Sequence, residues 1–279
     1  MSKTFYLPIH DVIFKFLFGD ERNTEILTDF LKTVLPIPHD EYEEITISDP
    51  HLLREFTTDK LGILDIKLKL KSGRVVNIEI QLATMKAFRK RIAYYNAKMI
   101  TEQISDSEQY EKINPVVNIV ITNHILIAES DDYYHHFRFS DLEKGIVFSD
   151  ISEIHTLELP KLPKSQDEKS VFPWMKFFSI KSEEELDMVV QAYPQLQKVA
   201  TKYLEITQDD HIRAIQEARL KQERDTQARM DAVKDSFREE GERQERYKIA
   251  RNLLNLGVSL DIISQSSGLT IEEIERIER

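Results

Sequence analysis

The sequence predicts a mixed α/β domain followed by a helical C-terminal region. Residues 63–82 alternate apolar and polar side chains on either side of a short turn, which is typical of two strands with one buried face each. Residues 115–122 are almost continuously apolar, which indicates a strand buried on both faces. Residues 183–251 are polar, helix-prone and nearly free of glycine, so we expect helices after the strands.

The other elements of the first half follow the same kinds of pattern. Residues 1–35 predict two helices, and residues 84–105 predict a third. The third helix has one buried stripe at helical spacing, which comprises Phe88, Ile92, Tyr95 and Met99. Further strands are predicted at 136–139 and 154–159. His135 and His136 are neighbours on a strand and point to opposite faces, which argues against a shared metal site.

These patterns divide the chain into four predicted segments. Residues 1–162 form the α/β domain, and residues 163–205, which begin in a proline-rich stretch, form a linker and a helical extension. Residues 206–246 mix both charge signs densely, which favours one long charged helix over the alternative of disorder. Residues 247–279 form a small helical tail module.

The tail module is predicted as three short helices around Gly257 and Gly268. This arrangement allows a helix-turn-helix, but the last helix carries acidic residues that phosphates would repel, namely Glu272, Glu273, Glu275 and Glu278. We therefore favour a packing or self-association module over a DNA-binding one. Self-association would make the protein a homo-oligomer through its C-terminal helices.

Composition excludes several classes of protein. The 279-residue chain has no cysteine, which removes disulfides, cysteine nucleophiles and cysteine-based zinc sites. Its 7 glycines include no phosphate-binding loop, and its net charge of −11 argues against a general nucleic-acid coat while permitting a local basic patch. No apolar run approaches the ~20 residues of a membrane span, and the N-terminus lacks a signal-peptide core. We expect a cytoplasmic protein with no membrane contact.

The register of the strand pair at 63–82 follows from its alternation, because a slip of one residue would turn every side chain to the wrong face. A three-residue loop keeps apolar residues opposite apolar ones and puts Gly73 where such loops need a left-handed backbone. This register places Lys67 opposite Asn77. It likewise places Asp65 opposite Glu79, with their β carbons about 5 Å apart.

Two carboxylates in this position repel each other unless a cation lies between them. Oxygen ligands of this kind suit Mg²⁺ or Mn²⁺, so Asp65 and Glu79 are candidate metal ligands. Gln81 shares their face and has an amide that can orient a water molecule or a phosphate oxygen. The alternative is a solvated polar face, on which the two acids splay apart or pair with Lys67. The pattern alone leaves both interpretations open.

The segment that follows the acids is basic within an acidic chain. Residues 80–101 contain no acidic residue and five basic ones, namely Lys86, Arg89, Lys90, Arg91 and Lys98. Such a cluster could hold the phosphates of DNA, whereas the alternative is an ordinary solvated helix face. Its position next to the two carboxylates favours the first interpretation.

Several of these stretches together resemble a known family. The chain is similar to the Rpn-like recombination-promoting nucleases and transposases, within the PD-(D/E)XK nuclease superfamily. The matching stretches are HDVIFKFLFGDERN, LDIKLKLKSGRVVNIEIQL, FRKRIAYYNAKM, LELPKLP and, from residue 240, EGERQERYKIARNLLNLGVSLDIISQSSGLTIEEIERI. The resemblance therefore covers nearly the whole chain, and it implies a restriction-endonuclease-like core, a mixed sheet flanked by helices.

The resemblance also implies an activity, a cofactor and a site. It implies a metal-dependent DNA endonuclease that hydrolyses phosphodiester bonds in recombination or mobile elements, with Mg²⁺ as cofactor and Mn²⁺ or Ca²⁺ as substitutes. Asp65 matches the first acid of the family motif and Glu79 the second, with the carbonyl of Ile80 as a further metal ligand. Gln81 stands where the superfamily more often has lysine.

The resemblance further implies auxiliary residues and leaves one competing function. Lys67 could take the place of the missing lysine, Arg91 and Tyr94 match an RxxY helix pattern, and Asp11 and Lys15 match the opening motif, where we expect a packing role. The missing lysine and the acidic surface favour the alternative, a catalytically silent, nuclease-like interaction or assembly protein.

Overall fold

The structure is a computed structural model that describes residues 5–48, 66–82, 84, 86–105 and 109–277. The chain forms two compact units, Met1–Gln216 and Glu217–Arg279. The first unit contains a six-stranded mixed sheet flanked by helices, and helices make up the second. The predicted fold class, a restriction-endonuclease-like α/β core followed by a helical C-terminal region, is confirmed.

The chain begins with the two predicted helices, α1 (Asp11–Phe18) and α2 (Thr24–Val34). Both bury one apolar face, and the turn between them is capped by the side chain of Asp20, which accepts a hydrogen bond from the backbone N–H of Arg22. Helix α2 ends just before the two prolines that follow it, as expected for residues that cannot continue a helix.

The strands follow in the order predicted by the alternating and apolar stretches. Their bounds are β1 (Thr46–Ile47), β2 (Ile66–Lys69), β3 (Val75–Gln81), β4 (Val116–Thr122), β5 (Tyr134–Ser140) and β6 (Val147–Glu158). They lie in the order β1-β2-β3-β4-β6-β5, in which β3 and β6 pair parallel to β4 and the outer pairs are antiparallel. Strand β4, at the centre, is buried along its whole length, as its apolar sequence predicts.

The predicted register of the β2–β3 hairpin is confirmed over its described residues. Lys67 pairs with Asn77, and the N–H of Leu70 donates to the carbonyl of Arg74 at 3.0 Å. Gly73 has a φ of +89°, and a β carbon there would lie 2.7 Å from the side-chain oxygen of Asn114, so only glycine fits this turn. Asp65 lies outside the described residues, so its pairing with Glu79 stays a prediction.

The pairing of the three central strands assigns each side chain to one face of the sheet. Glu79 pairs with Val120, and Val120 pairs with Thr156, so these three share a face. Helix α3 (Phe88–Thr101) covers this face, which we call the α3 face. Because successive residues alternate, His155 belongs to the other face, which we call the opposite face.

Helix α3 forms where predicted, but its inner stripe differs at one position. Phe88, Ile92 and Met99 are buried as predicted, whereas Tyr95 is 44% exposed and Asn96 takes the inner position. The prediction for Tyr95 was wrong because spacings of four, four and three also make one helical face. Asn96 fills that position with two polar contacts, since it accepts from the Ser152 hydroxyl at 2.7 Å and donates to the Glu153 carbonyl at 3.4 Å.

The segment 163–205, predicted as a linker and a helical extension, lies within the first unit. It contains three helices, α4 (Phe172–Phe178), α5 (Glu183–Ala192) and α6 (Gln197–Gln208). Aromatic side chains of α4 pack on those of α1 and α2, for example Trp174 on Phe30 with ring centroids 5.4 Å apart. The boundary between the two compact units follows residue 216, and the aromatic contacts of α4 with α1 and α2 join both ends of the first unit. The four predicted segments stay a prediction.

The second unit contains most of the long charged helix α7 (Asp210–Asn255), followed by α8 (Leu260–Ser267) and α9 (Ile271–Glu275). Gly257 and Gly268 both have φ of +74° and end the helices that precede them. The tail has its own small core, formed by Ala250, Ile263, Leu269 and Ile274. No described helix is both long enough and apolar enough to cross a membrane.

Candidate functional site

The candidate site centres on Glu79, a carboxylate buried on the α3 face. Glu79 is 5% exposed, and Arg91 Nη2 donates to its Oε1 at 3.3 Å. Burial raises the pKa of Glu79, and the charge and hydrogen bond of Arg91 oppose that increase. The ionised form of this carboxylate is therefore stabilised by the neighbouring positive charge of Arg91.

Helix α3 brings Arg91 to Glu79 through its apolar contacts with the sheet. Phe88 and Ile92 pack on Val120, which is the strand neighbour of Glu79. The guanidinium of Arg91 lies 5.7 Å from the ring centroid of Phe88 and 5.6 Å from that of Tyr95. The exposed Tyr95 thus helps to hold the arginine, a role that the predicted buried stripe did not include.

An asparagine pair continues the polar line on the α3 face. Asn77 Nδ2 donates to Asn118 Oδ1 at 3.0 Å, and both side chains are buried. Asn77 Oδ1 and Asn118 Nδ2 have no hydrogen-bond partner among the described residues. Asn118 was not among the predicted site residues, although a single polar residue inside a continuously apolar strand is the signal that could have found it.

The other predicted site residues of the hairpin lie near Glu79 on strands β2 and β3. Gln81 is two residues further on the same face, which is about 7 Å along the strand. It is partly exposed, and its carbonyl accepts from the N–H of Asn123 at 3.2 Å. Lys67 is exposed and opposite Asn77, so it shares the face of Glu79. The role of the Ile80 carbonyl stays a prediction, and Asp65 lies outside the described residues.

The two residues of the predicted opening motif both lie on α1. Lys15 is 4% exposed, and Asp11 Oδ1 accepts from the N–H of Val12 at 2.7 Å at the start of the helix. Both residues make further interactions within the structure. Tyr94, from the RxxY pattern, is 64% exposed and lies against the ring of Tyr95 with centroids 5.4 Å apart.

The predicted DNA-binding residues do not form one uniform basic surface. Arg89 donates to both carboxylate oxygens of Glu129, at 2.9 and 2.5 Å, and also to a backbone carbonyl. Lys98 lies 3.5 Å from Glu102 on the next helical turn. Lys86 and Lys90 are exposed, whereas Arg91 points to the buried Glu79. The basic cluster is thus divided between ion pairs and solvent.

The donors on the α3 face fit the divalent metal ion that the resemblance implies. A carboxylate, an amide oxygen and a main-chain carbonyl are the hard oxygen ligands that Mg²⁺ takes. Burial raises the pKa of Glu79, and a cation beside the carboxylate, such as the guanidinium of Arg91, favours its ionised form. A second group of potential metal ligands, His136, Glu153 and His155, lies on the opposite face.

Comparison with known protein families gives two matches. A family model described as PD-(D/E)XK nuclease family transposase matches residues 8–233. A second, described as the C-terminal HTH domain of the Rpn/YhgA-like nuclease family, matches residues 243–278. Comparisons with curated proteins and with solved structures find no match.

The second match bears on the tail module, for which we favoured packing over a helix-turn-helix. It covers the end of α7 together with α8 and α9, and it supports the helix-turn-helix alternative. Helix α9 nevertheless begins with a capping box formed by Thr270 and Glu273 and carries the acidic residues noted above. The first match covers the sheet, the Glu79–Arg91 pair and α3. The chain therefore belongs to the PD-(D/E)XK nuclease family of transposases, and its C-terminal domain makes it an Rpn-like member related to mobile elements.

Proposed function

We propose that this protein is a metal-dependent DNA endonuclease, active in the cytoplasm on the DNA of mobile elements or in recombination. The observation that carries the proposal is the buried Glu79 on β3 of a nuclease-family sheet. Its carboxylate accepts a hydrogen bond from Arg91, which lies on α3. Burial disfavours the ionised form of this carboxylate, and a bound metal ion would offset that cost as a nearby positive charge does.

We propose that Asp65 and Glu79 bind Mg²⁺ together with the carbonyl of Ile80, and that Mn²⁺ or Ca²⁺ can take its place. The support is the hairpin register, in which Ile66 pairs with Ile78. In an antiparallel pair the next residues in this register are Asp65 and Glu79. When bound, the ion would lower the pKa of a water molecule and stabilise negative charge on the phosphate.

The chain's own residues would position the reactants around that site. Gln81, two residues beyond Glu79, would orient the attacking water through its amide oxygen. Lys67 lies exposed on the same face and would supply the positive charge that the superfamily lysine usually gives. Arg91 would keep Glu79 ionised before the metal and the DNA bind, and would then be available to a phosphate oxygen.

DNA would approach along the α3 face. Lys86 and Lys90 are exposed and would contact phosphates directly, whereas Arg89 and Lys98 would first exchange a carboxylate partner for a phosphate. The C-terminal helix-turn-helix domain would provide a second DNA contact, in which backbone phosphates set the position of the module.

A plasmid-cleavage assay with Mg²⁺, and with a chelator in parallel, tests the proposal. We expect Asp65→Ala and Glu79→Ala to reduce the cleavage rate about 100-fold or more, because each removes a group that stabilises the transition state. Glu143→Ala, which removes an exposed acid from the β5–β6 turn, is the matched control and should cleave like wild type. Undiminished cleavage by Asp65→Ala would remove the central assignment.

Two observations favour a second candidate function, a catalytically silent assembly protein that associates through its C-terminal helices. Arg91 already supplies positive charge to Glu79, and Gln81 replaces the usual lysine. Thermal unfolding distinguishes the two functions, since a ligand that binds only the folded state raises the melting temperature. A melting temperature that rises with Mn²⁺ or Mg²⁺ in wild type but not in Glu79→Ala supports the nuclease, and the absence of any response supports the alternative.

A further inference from the structure

A group of two histidines and one glutamate lies on the opposite face of the sheet, between β5 and β6. His136 pairs with His155 in the antiparallel register, and Glu153 is two residues from His155 on the same face. The side chains of His155 and Glu153 are 0% and 10% exposed, and that of His136 is 19% exposed. Their ligand atoms all lie within 4.8 Å of one another.

We propose that His136, Glu153 and His155 form a binding site for a transition-metal ion of the Zn²⁺ class. This site is separate from the proposed nuclease centre, because Glu79 shares its face with Thr156 and the neighbouring His155 points away from it. The proposal of this second metal site therefore does not depend on nuclease activity at the first.

The distances are close to those that a four-coordinate ion needs. Glu153 Oε2 lies 2.9 Å from His136 Nε2 and 3.6 Å from His155 Nε2. Ligands at normal zinc distances in a tetrahedral site are about 3.4 Å from each other. The two imidazole rings are nearly parallel, with centroids 4.1 Å apart and planes at 16°, so one ring has to tilt for both nitrogens to converge. His136 is the more exposed ring and lies on the edge strand, so it is the one that can tilt.

The hydrogen bonds around His155 indicate which of its two ring nitrogens carries the proton and which presents a lone pair. The Tyr134 hydroxyl lies 2.9 Å from His155 Nδ1 and 3.3 Å from the carbonyl of Val34. The carbonyl can only accept, so both contacts are made when the hydroxyl donates to Val34 and accepts from Nδ1–H. His155 Nε2 then presents a lone pair, and it has no hydrogen-bond partner among the described residues. A metal-binding histidine is held in this way, with its other nitrogen donating to a neighbour.

The surroundings of Glu153 orient its carboxylate toward the two rings. Arg74 Nη1 lies 3.5 Å from Oε1, which leaves Oε2 for the histidines. The guanidinium of Arg74 also places a positive charge beside this carboxylate, which favours its ionised form. Arg138 pairs with Glu153 across the strands and adds a second positive charge to this face. Binding must therefore come mainly from the neutral imidazoles, which favour Zn²⁺, Co²⁺ or Ni²⁺ over Mg²⁺.

Zn²⁺ titration of the full chain in an excess of Mg²⁺ tests the site, because the excess occupies oxygen-rich sites. We expect one Zn²⁺ per chain, and we expect Co²⁺ to give the visible absorption of a four-coordinate ion with nitrogen ligands. His136→Gln should weaken binding more than the about 10- to 100-fold typical of a residue that only orients a ligand. His135→Gln is the matched control, since it alters the adjacent histidine on the other face and should bind like wild type.

Tyr134→Phe provides a second variant that preserves both the fold and the ligands. It removes the acceptor for His155 Nδ1–H and should weaken Zn²⁺ binding about 10- to 100-fold. The proposal is overturned if wild type shows no saturable site, if His135→Gln and His136→Gln weaken binding equally, or if Tyr134→Phe leaves the affinity unchanged.

Discussion

Two buried glutamates on opposite faces of one sheet are held in contrasting ways. Glu79 has a raised pKa, because burial outweighs the one described cation beside it, Arg91 at 3.3 Å. Glu153 has a lowered pKa, because the hydrogen bond with His136 at 2.9 Å and the charge of Arg74 outweigh its burial. The charges and hydrogen bonds next to a buried carboxylate, more than the extent of its burial, therefore decide whether it stabilises the fold or is available for chemistry.

The largest expected effect is the loss of the Glu153 side chain. Glu153→Ala should lower the free energy of unfolding by about 3–5 kcal/mol, since it leaves the partly buried charge of Arg74 and the ring of His136 without their carboxylate partner. Urea denaturation measures this change. Asp150→Ala, an exposed acid 4.0 Å from the same arginine, is the control and should behave like wild type. If Glu79→Ala destabilised the protein as much as Glu153→Ala, the contrast between the faces would be lost.

A smaller effect is expected from the arginine on the α3 face. Arg91→Gln should lower the free energy of unfolding at neutral pH by about 1–3 kcal/mol, because Glu79 stays buried without its charged partner. Lys90→Gln, which alters the preceding exposed residue of α3, is the matched control. An equal response of both variants in denaturant titrations would contradict the buried pairing.

The two acids should also give opposite dependences on pH. Because the pKa of Glu79 is raised, the stability that depends on it is greatest below the ordinary carboxyl pKa and falls as the pH rises through the raised value. Because the pKa of Glu153 is lowered, its stabilising contribution is present above the ordinary carboxyl pKa and is lost as the pH falls toward the lowered value.

The stability advantage of wild type over Glu79→Gln should therefore shrink as the pH rises through the acid range. The advantage over Glu153→Gln should grow over the same range. Each trend amounts to about 1.4 kcal/mol per pKa unit between the folded and unfolded states. Urea midpoints at a series of pH values measure both trends, and slopes of the same sign would refute the assignment.

The smallest effect concerns the buried amide of Asn96 on the α3 face. Asn96 on α3 contacts Ser152 and the carbonyl of Glu153, so Asn96→Ala should cost about 1 kcal/mol of unfolding free energy. Tyr95→Ala, at the exposed neighbouring position, should cost less. If urea titrations showed a larger loss of unfolding free energy for Tyr95→Ala than for Asn96→Ala, the predicted buried position of Tyr95 would be supported instead.

Much of the fold on the α3 face could be predicted from the sequence, because it depends on local alternation. The period of two fixed the hairpin register, the position of Gly73 and the face of Glu79. The family resemblance, which the comparisons confirm, then suggested how Glu79 is used. Helical spacing did not distinguish Tyr95 from Asn96. A polar side chain is buried at such a position when it has a hydrogen-bond partner there, which for Asn96 is Ser152.

The opposite face could not be predicted in the same way. His136 is 17 residues from Glu153, and the strand register that brings them together includes a shift after Arg138. A glutamate and a histidine at alternate positions of one strand were a signal, but nothing local identified the strand opposite them. The aromatic residues of α4 pack on partners of α1 and α2 that lie more than a hundred residues earlier, so no local pattern could identify these pairs.

The order of the strands also has a kinetic consequence. The β2–β3 and β5–β6 hairpins close over short loops, and such units form within microseconds. Strand β4 must instead pair with β3 across a separation of 41 residues, as between Asn77 and Asn118, which makes its insertion the slower step. We therefore expect each glutamate to arrive on a hairpin that is already assembled, and the late entry of β4 to complete both faces together.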